Sequence, residues 1–356
     1  MTENPLEWYD VTDWELEGKG WTDTDSHFAR VPARAEKTVR DWIWMLGHHT
    51  AGLVVRFSSD ASAIWVRYTL LRKRFSPSRA PEALAKPGMP ATAKSGLDFY
   101  AQDDDGRWRW LAVVEPTDQI VEAQAIGDLD PGSRAYMVYL PLRNGLESLE
   151  IGFPVGSTVE PLVPRAGKPL VFYGTSITQG TGASRPGMAY PAILGRRLDC
   201  PVINLGFCGT GQMELEVGAL LTELDAAVYV IDCLPNMTGD MVAERAEPLV
   251  RQLRQARPEV PIVLVEERHY DNARFVAAHR ARHAANNNAL RAAFERLVQG
   301  GLTDLHYVDG QRLWGDDGEA TSYGGHPSDL GMMRTVEVLE PVLRPLMTRM
   351  AAGRPT

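Results

Sequence analysis

Lysine is scarce in this sequence. It occurs at Lys19, Lys37, Lys73, Lys86, Lys94 and Lys168 and nowhere after that. The second half therefore carries no Schiff-base lysine and no phosphate-loop lysine of its own. Cysteine is as rare, with only Cys200, Cys208 and Cys233. An odd, low count without close pairing excludes a disulfide scaffold and a zinc knuckle, and reads as reduced, mostly buried thiols. Long apolar runs are missing too. Pro169–Tyr173 and Pro261–Val265 fall far short of the roughly 20 residues that span a bilayer. The start, Met1-Thr2-Glu3-Asn4-Pro5-Leu6-Glu7, has neither the basic residues nor the apolar stretch of a secretory signal, so a cytoplasmic location is expected.

Positive charge is in deficit: 46 acidic against 37 basic residues leave a net charge of −9. That argues against nucleic acid as the main partner, which needs a basic footprint, and against an anionic membrane surface. A local basic run, Arg72-Lys73-Arg74, reads as a solvated loop or strand end. What is present is ordinary for a globular protein, with 44% hydrophobic and 23% charged residues. A length of 356 residues suggests two domains.

The two halves differ in period. Residues 1–160 read as an antiparallel, jelly-roll-like β-sandwich. Its strand signals are Leu53–Phe57, Ala63–Tyr68, Trp108–Val114, Ala135–Leu140 and Leu149–Phe153, separated by turn residues. Residues 76–95, rich in Pro, Ala and Ser, predict a long loop, and Asp103-Asp104-Asp105-Gly106 a hairpin turn. Residues 156–169 hold three prolines and two glycines and read as an irregular connection between domains. Residues 161–356 alternate strand and helix. Strands are expected at Pro169–Tyr173, Pro201–Leu205, Ala227–Asp232, Pro261–Glu266 and Leu305–Asp309. Helices are expected near 189–199, 212–224, 240–256, 275–299 and 329–350. Short unbroken apolar strands between helices imply a three-layer α/β fold, a parallel sheet covered on both faces. Ligands bind such sheets beyond the C-terminal strand ends.

Four polar features stand at those ends. Ser176 follows the first strand in Gly174-Thr175-Ser176-Ile177-Thr178-Gln179-Gly180, where a hydroxyl can face the cleft; a Ser/Thr cap of a helix is the plainer reading. Gly209 lies in Gly206-Phe207-Cys208-Gly209-Thr210-Gly211 after the second strand. A backbone N–H there can meet an oxyanion, and a simple glycine turn accounts for it equally well. Asn236 follows the third strand and is either an amide donor or a turn residue. His326, between Gly325 and Pro327, precedes a helix capped by Ser328 or Asp329 and has the position of a general base. His279 and His283 share a helix face without the Glu of a zinc protease, so no metal is expected, and no cofactor either.

Taken together and in this order, the four features resemble the SGNH (GDSL-type) hydrolases over about residues 168–350. Gly96-Leu97-Asp98-Phe99-Tyr100 resembles the Gly-x-Asp-Leu-Tyr signature of a β-domain that precedes some of them, with Phe99 for the usual Leu. The resemblance implies a flavodoxin-like sheet and ester hydrolysis through an acyl-serine. Ser176 would be the nucleophile and His326 the base, with Ser176 N–H, Gly209 N–H and the Asn236 amide as oxyanion donors. It implies a small acyl ester as substrate, by analogy an acetylated sugar or similar alcohol; a homo-oligomer is compatible with it. Two positions depart from the pattern. Thr175 replaces the first-block aspartate, and Tyr323 stands where these enzymes carry an aspartate three residues before the histidine. A phenol with a pKa of about 10 cannot act as that carboxylate. Glu319, Glu266 or Glu267 could substitute, a backbone carbonyl could orient His326 in a Ser–His dyad, or the site could be weak. The alternatives to an esterase are a noncatalytic ligand-binding protein on the same scaffold and a flavodoxin-like flavin or phosphate module using the 175–181 loop.

Overall fold

The computed structural model describes residues 5–71 and 88–351. These residues form two compact units. The first comprises the described residues of Met1–Ala33, with Met45–Arg165 and Ser184–Gly187; the second comprises Arg34–Trp44, Ala166–Ala183 and the described residues of Met188–Thr356. Each half of the chain thus lends a short segment to the unit built mainly by the other.

The strands of the first unit are β1 (Leu6–Asp10), β2 (Val54–Ser59), β3 (Ile64–Leu70), β4 (Leu97–Gln102), β5 (Trp108–Val114), β6 (Ile120–Ile126), β7 (Arg134–Tyr139), β8 (Leu146–Pro154) and β9 (Val159–Pro161). They pair antiparallel in two sheets, in the orders β1-β8-β3-β6 and β5-β4-β7-β2-β9. Along β3 the residues Ile64, Val66, Tyr68 and Leu70 are buried and those between them half-exposed, the period of two that a one-sided strand requires. Phe57, Val66, Tyr68, Phe99, Val138 and Phe153, drawn from both sheets, share one core. This is the expected sandwich. Four strands are absent from the expected series: β4 (Leu97–Gln102) entered it only as the Gly-x-Asp-Leu-Tyr-like motif, and the other three carry no clear strand signal. Ile120–Ile126 carries Glu, Ala and Gln, poor strand formers that an edge position tolerates. Leu6–Asp10 holds only five residues, on the other edge of that sheet. Val159–Pro161 falls in the expected connection. It pairs with β2 at the sheet edge, where the N–H that Pro161 lacks is not needed.

Two helices occur early in the chain, α1 (Asp41–Gly47) and α2 (Ala91–Ser95). The latter replaces the end of the loop expected at 76–95, most of which, like Arg72-Lys73-Arg74, lies outside the described residues. The hairpin turn is as expected: Gly106 N–H donates to Asp103 O (2.9 Å) between β4 and β5.

The second unit holds β10 (Leu170–Gly174), β11 (Val202–Gly206), β12 (Val228–Asp232), β13 (Ile262–Val265) and β14 (Leu305–Val308), all parallel in the order β11-β10-β12-β13-β14. Every residue of the first four is buried. The helices are α3 (Ser176–Gln179), α4 (Tyr190–Arg197), α5 (Leu215–Leu221), α6 (Gly239–Ala256), α7 (Ala277–Gln299) and α8 (Asp329–Ala351). α4 packs on α8 in one layer, and α5, α6 and α7 pack in sequence in the other. Among the described residues no helix is long and apolar enough to cross a membrane. The chain leaves β10 for β11 on one side, then crosses to β12 on the other. The C-terminal end of β10 is therefore a topological switch point, where loops diverge and a crevice opens.

Candidate active site

The apolar strand β10 delivers Ser176 to that switch point. Thr175 caps α3, its side chain accepting from Ile177 N (3.2 Å), so Ser176 becomes the first residue of a four-residue helix. Gly180, left-handed at φ 102°, ends it. The Ser176 N–H, one of the unpaired donors of a helix start, has no acceptor among the described residues. Ser176 is 7% exposed, and its Oγ lies 2.8 Å from His326 Nε2. The two residues are 150 positions apart in the chain.

The turn after β11 is fastened to α3. Asn204 Nδ2 donates to Thr178 O (2.8 Å), Asn204 Oδ1 accepts from Gly206 N (2.9 Å), and Cys208 N donates to Gln179 Oε1 (3.1 Å). A Cβ on Gly206 would stand 2.2 Å from Gln179 N, so only glycine permits this approach. Gly209 is left-handed at φ 74°. Asn236 closes a 3-10 turn, Leu234–Asn236, after β12. Its amide is satisfied when Oδ1 faces the Gly209 turn, accepting from Gly209 N (3.3 Å), Thr210 N (2.9 Å) and Gly211 N (3.2 Å). That orientation turns Nδ2 away, toward the side where acceptors stand. β11 and β12 flank β10, with Gly174 in register with Gly206 and Asp232. The structure thus joins Ser176 to His326, and Gly209 to Asn236, at three adjacent strand ends. The 3.3 Å Gly209 contact is longer than an ordinary amide bond and weak.

Residues 167–344 match the model of the GDSL-like lipase/acylhydrolase family. The chain belongs to that family. Residues 6–159 match a second model, GxDLY, the N-terminus of SGNH-hydrolase-type esterases. Among solved structures, a protein assigned as a GDSL-like lipase from Bacteroides ovatus is 29% identical, with a TM-score of 0.90 over 97% of this chain and 98% of its own. The salicylyl-acyltransferase SsfX3 of a tetracycline biosynthetic pathway is 21% identical, with a TM-score of 0.75 over 96% and 97%. A family two carbohydrate esterase from Cellvibrio japonicus is 12% identical, with a TM-score of 0.61 over 97% and 98%. The last two likenesses concern the fold alone. No curated protein matches the chain significantly.

The GxDLY motif has a physical reason in this GDSL-family chain. Asp98, fully buried, accepts from Gly187 N (2.7 Å), Arg185 Nη1 (2.9 Å) and Trp110 Nε1 (3.1 Å), and so anchors Ser184–Gly187 within the first unit.

Two of the three glutamates considered as substitute acids are occupied elsewhere. Glu266 accepts from Arg291 Nη2 (2.6 Å), Gly310 N (2.9 Å) and the Tyr307 hydroxyl. Glu267 pairs with Arg282 (2.8 Å) and accepts from Asn286 Nδ2 (2.5 Å). Glu319 is exposed. None of the three is bonded to His326. Burial, against the pull of Arg282, pushes the Glu267 carboxyl up to about 7. A raised carboxyl stays protonated in the folded chain while the unfolded one ionises. Stability from this group is therefore intact below about pH 4.5 and falls as pH rises toward 7. Glu267→Gln should flatten that slope, by on the order of 1–3 kcal/mol at pH 8, in urea titrations at several pH values.

The candidate site rests on a polar network that sequence reading missed. Asp232, at the end of β12, and Arg268 are both wholly buried and form a bidentate pair. Tyr190 Oη (2.7 Å) and Thr178 Oγ1 (3.1 Å) also donate to Asp232 Oδ2, tying α3, α4 and β12 together. The only sequence signal was an aspartate ending an apolar strand. Arg268→Met leaves a buried charge unpaired and should cost about 3–5 kcal/mol, measured by denaturant unfolding.

A cavity of about 1070 Å³ opens beside the loops that follow β13 and β14. Its walls include Tyr270, Arg274, Phe275, His283, Asn287 and Gln311, but neither Ser176 nor His326. It adjoins the histidine loop, since Asp271 Oδ2 accepts from Thr321 Oγ1 (2.6 Å). Among the described residues no group of three His, Cys, Asp or Glu could hold a metal ion.

Proposed function

We propose that this GDSL-family protein is a serine ester hydrolase that removes a small acyl group, acetyl foremost, from a sugar-like or similar small alcohol. The observation that carries the reading is the 2.8 Å contact between Ser176 Oγ and His326 Nε2 at the switch point of the sheet. Ser176 Oγ attacks the acyl carbonyl as His326 Nε2 takes its proton. The carbonyl oxygen becomes an oxyanion, met by the free Ser176 N–H; in this reading the Gly209 N–H and Asn236 Nδ2 join it once the weak contact between Gly209 and Asn236 gives way to the oxyanion. Collapse breaks the bond to the alcohol, which leaves with the proton from His326. Water then attacks the acyl-serine through the same steps and releases the acid. The sugar-like alcohol is supported by the mixed polar and aromatic lining of the adjoining cavity and by analogy with the carbohydrate esterase fold. Residues 1–160 form, in this reading, a separate β-domain, and the chain acts in the cytoplasm.

Treatment with a fluorophosphonate tests the reading without a substrate guess. A single adduct mapped to Ser176, absent from Ser176→Ala, is expected. An unmodified wild-type chain would sink the hydrolase reading and favour a binding protein on this scaffold.

A further inference from the structure

The residue in place of the family's aspartate has a structural relation to the histidine of its own. Thr321 and Pro327 form a β-bridge, Ser322 N donates to His326 O (2.9 Å), and Gly325 N donates to Tyr323 O (3.2 Å). Gly324, left-handed at φ 88°, turns the chain between them. This tight loop folds the phenol ring back over the imidazole. The Tyr323 and His326 ring centroids are 5.0 Å apart at an interplanar angle of 24°, a stacked pair. Tyr323 is 43% exposed. The imidazole is thus held by the phenol ring on one face while its Nε2 meets Ser176 Oγ. Tyr270, against Gly325, and Asp271, bonded to Thr321, also neighbour the loop.

We propose that Tyr323 is a positioning residue that orients the His326 imidazole by stacking, taking over part of the task of the aspartate absent from this position. The inference rests on the hydrolase reading above. An orienting acid does two things: it fixes the ring in a productive plane, and it favours the imidazolium formed during attack. A stacked aromatic ring does the first by restricting rotation of the imidazole. It does the second through its electron-rich face, which attracts a cation lying over it. In this proposal the ring performs both tasks.

The test is the rate at which a fluorophosphonate labels Ser176, measured from pH 5 to 9, in wild type, Tyr323→Phe, Tyr323→Leu and Tyr323→Ala. Thermal unfolding alongside confirms that each variant is folded. Tyr323→Phe should label within about twofold of wild type, with the same pH midpoint. Tyr323→Ala should label about tenfold more slowly, with the midpoint lowered by about half a unit. Tyr323→Leu, which keeps bulk but no π-face, should follow Tyr323→Ala in midpoint. The inference is overturned if Tyr323→Ala labels and titrates like wild type. It is equally overturned if Tyr323→Phe loses as much as Tyr323→Ala, which would assign the role to the hydroxyl. A wild-type chain that takes no label overturns the hydrolase reading itself, and the inference with it.

Discussion

Replacing Ser176 by alanine is expected to lower ester turnover by on the order of 10⁴–10⁶-fold with little change in KM. The substitution deletes one oxygen from a helix start whose fold is set by Thr175 and Gly180, so the site around it persists. In the proposed mechanism no acyl-enzyme forms without that oxygen, and only direct attack of water on a bound ester remains. His326→Ala should fall to a similar level, because the hydroxyl is a poor nucleophile until its proton has somewhere to go. The double variant should be no worse than either single one, since the two groups act as a unit. Steady-state kinetics on p-nitrophenyl acetate measure all three. Residual activity of Ser176→Ala within a hundredfold of wild type would mean that another group attacks the ester.

Asn236→Ala carries the second-largest expected effect, about 10²–10³-fold in kcat. Its amide oxygen accepts from three N–H groups of the Gly206–Gly211 turn, and in the proposed mechanism its Nδ2 is the group that donates to the oxyanion. Alanine removes both ends of the amide. Asn236→Asp separates them: the aspartate can still accept from the turn, so stability should hold, but it cannot donate to an oxyanion. Aspartate should therefore reduce kcat at least as much as alanine does. If it instead restored most of the activity, the amide would be a scaffold for the turn and no part of the oxyanion site.

Much of the second unit was legible because its strands are short, apolar and unbroken, so every polar residue just past a strand end stood out. Ser176, the Gly209 turn and Asn236 were visible for that reason, whereas His326, well beyond the end of β14 at Val308, stood out through the Gly325 and Pro327 that bracket it. Their meeting was expected from the family resemblance alone, because the order β11-β10-β12 is a property of the assembled sheet. The Asp232–Arg268 pair was hidden similarly: its partners are 36 residues apart, and arginine after an apolar strand usually means solvent. Tyr323 was noticed only as a missing carboxylate. Its stacked pose depends on a left-handed turn at Gly324, which composition alone does not predict. In the first half, alternation exposed β3 but not β6, whose Glu, Ala and Gln break the pattern.

The exchange of short segments between the two units bears on how such a chain can be divided. Arg40, in the segment Arg34–Trp44, donates to Thr210 O (2.6 Å) and pairs with Glu214, bracing the turn that holds Gly209. A cut near residue 160 would strip that brace from the catalytic half. It would equally leave Asp98 in the other half without the Gly187 and Arg185 donors it now buries. Module shuffling, whether by recombination in nature or by splicing at the bench, therefore has no clean seam here. A transplanted catalytic half would need residues 34–44 carried along as a separate tether, and its recipient would need a substitute for Ser184–Gly187.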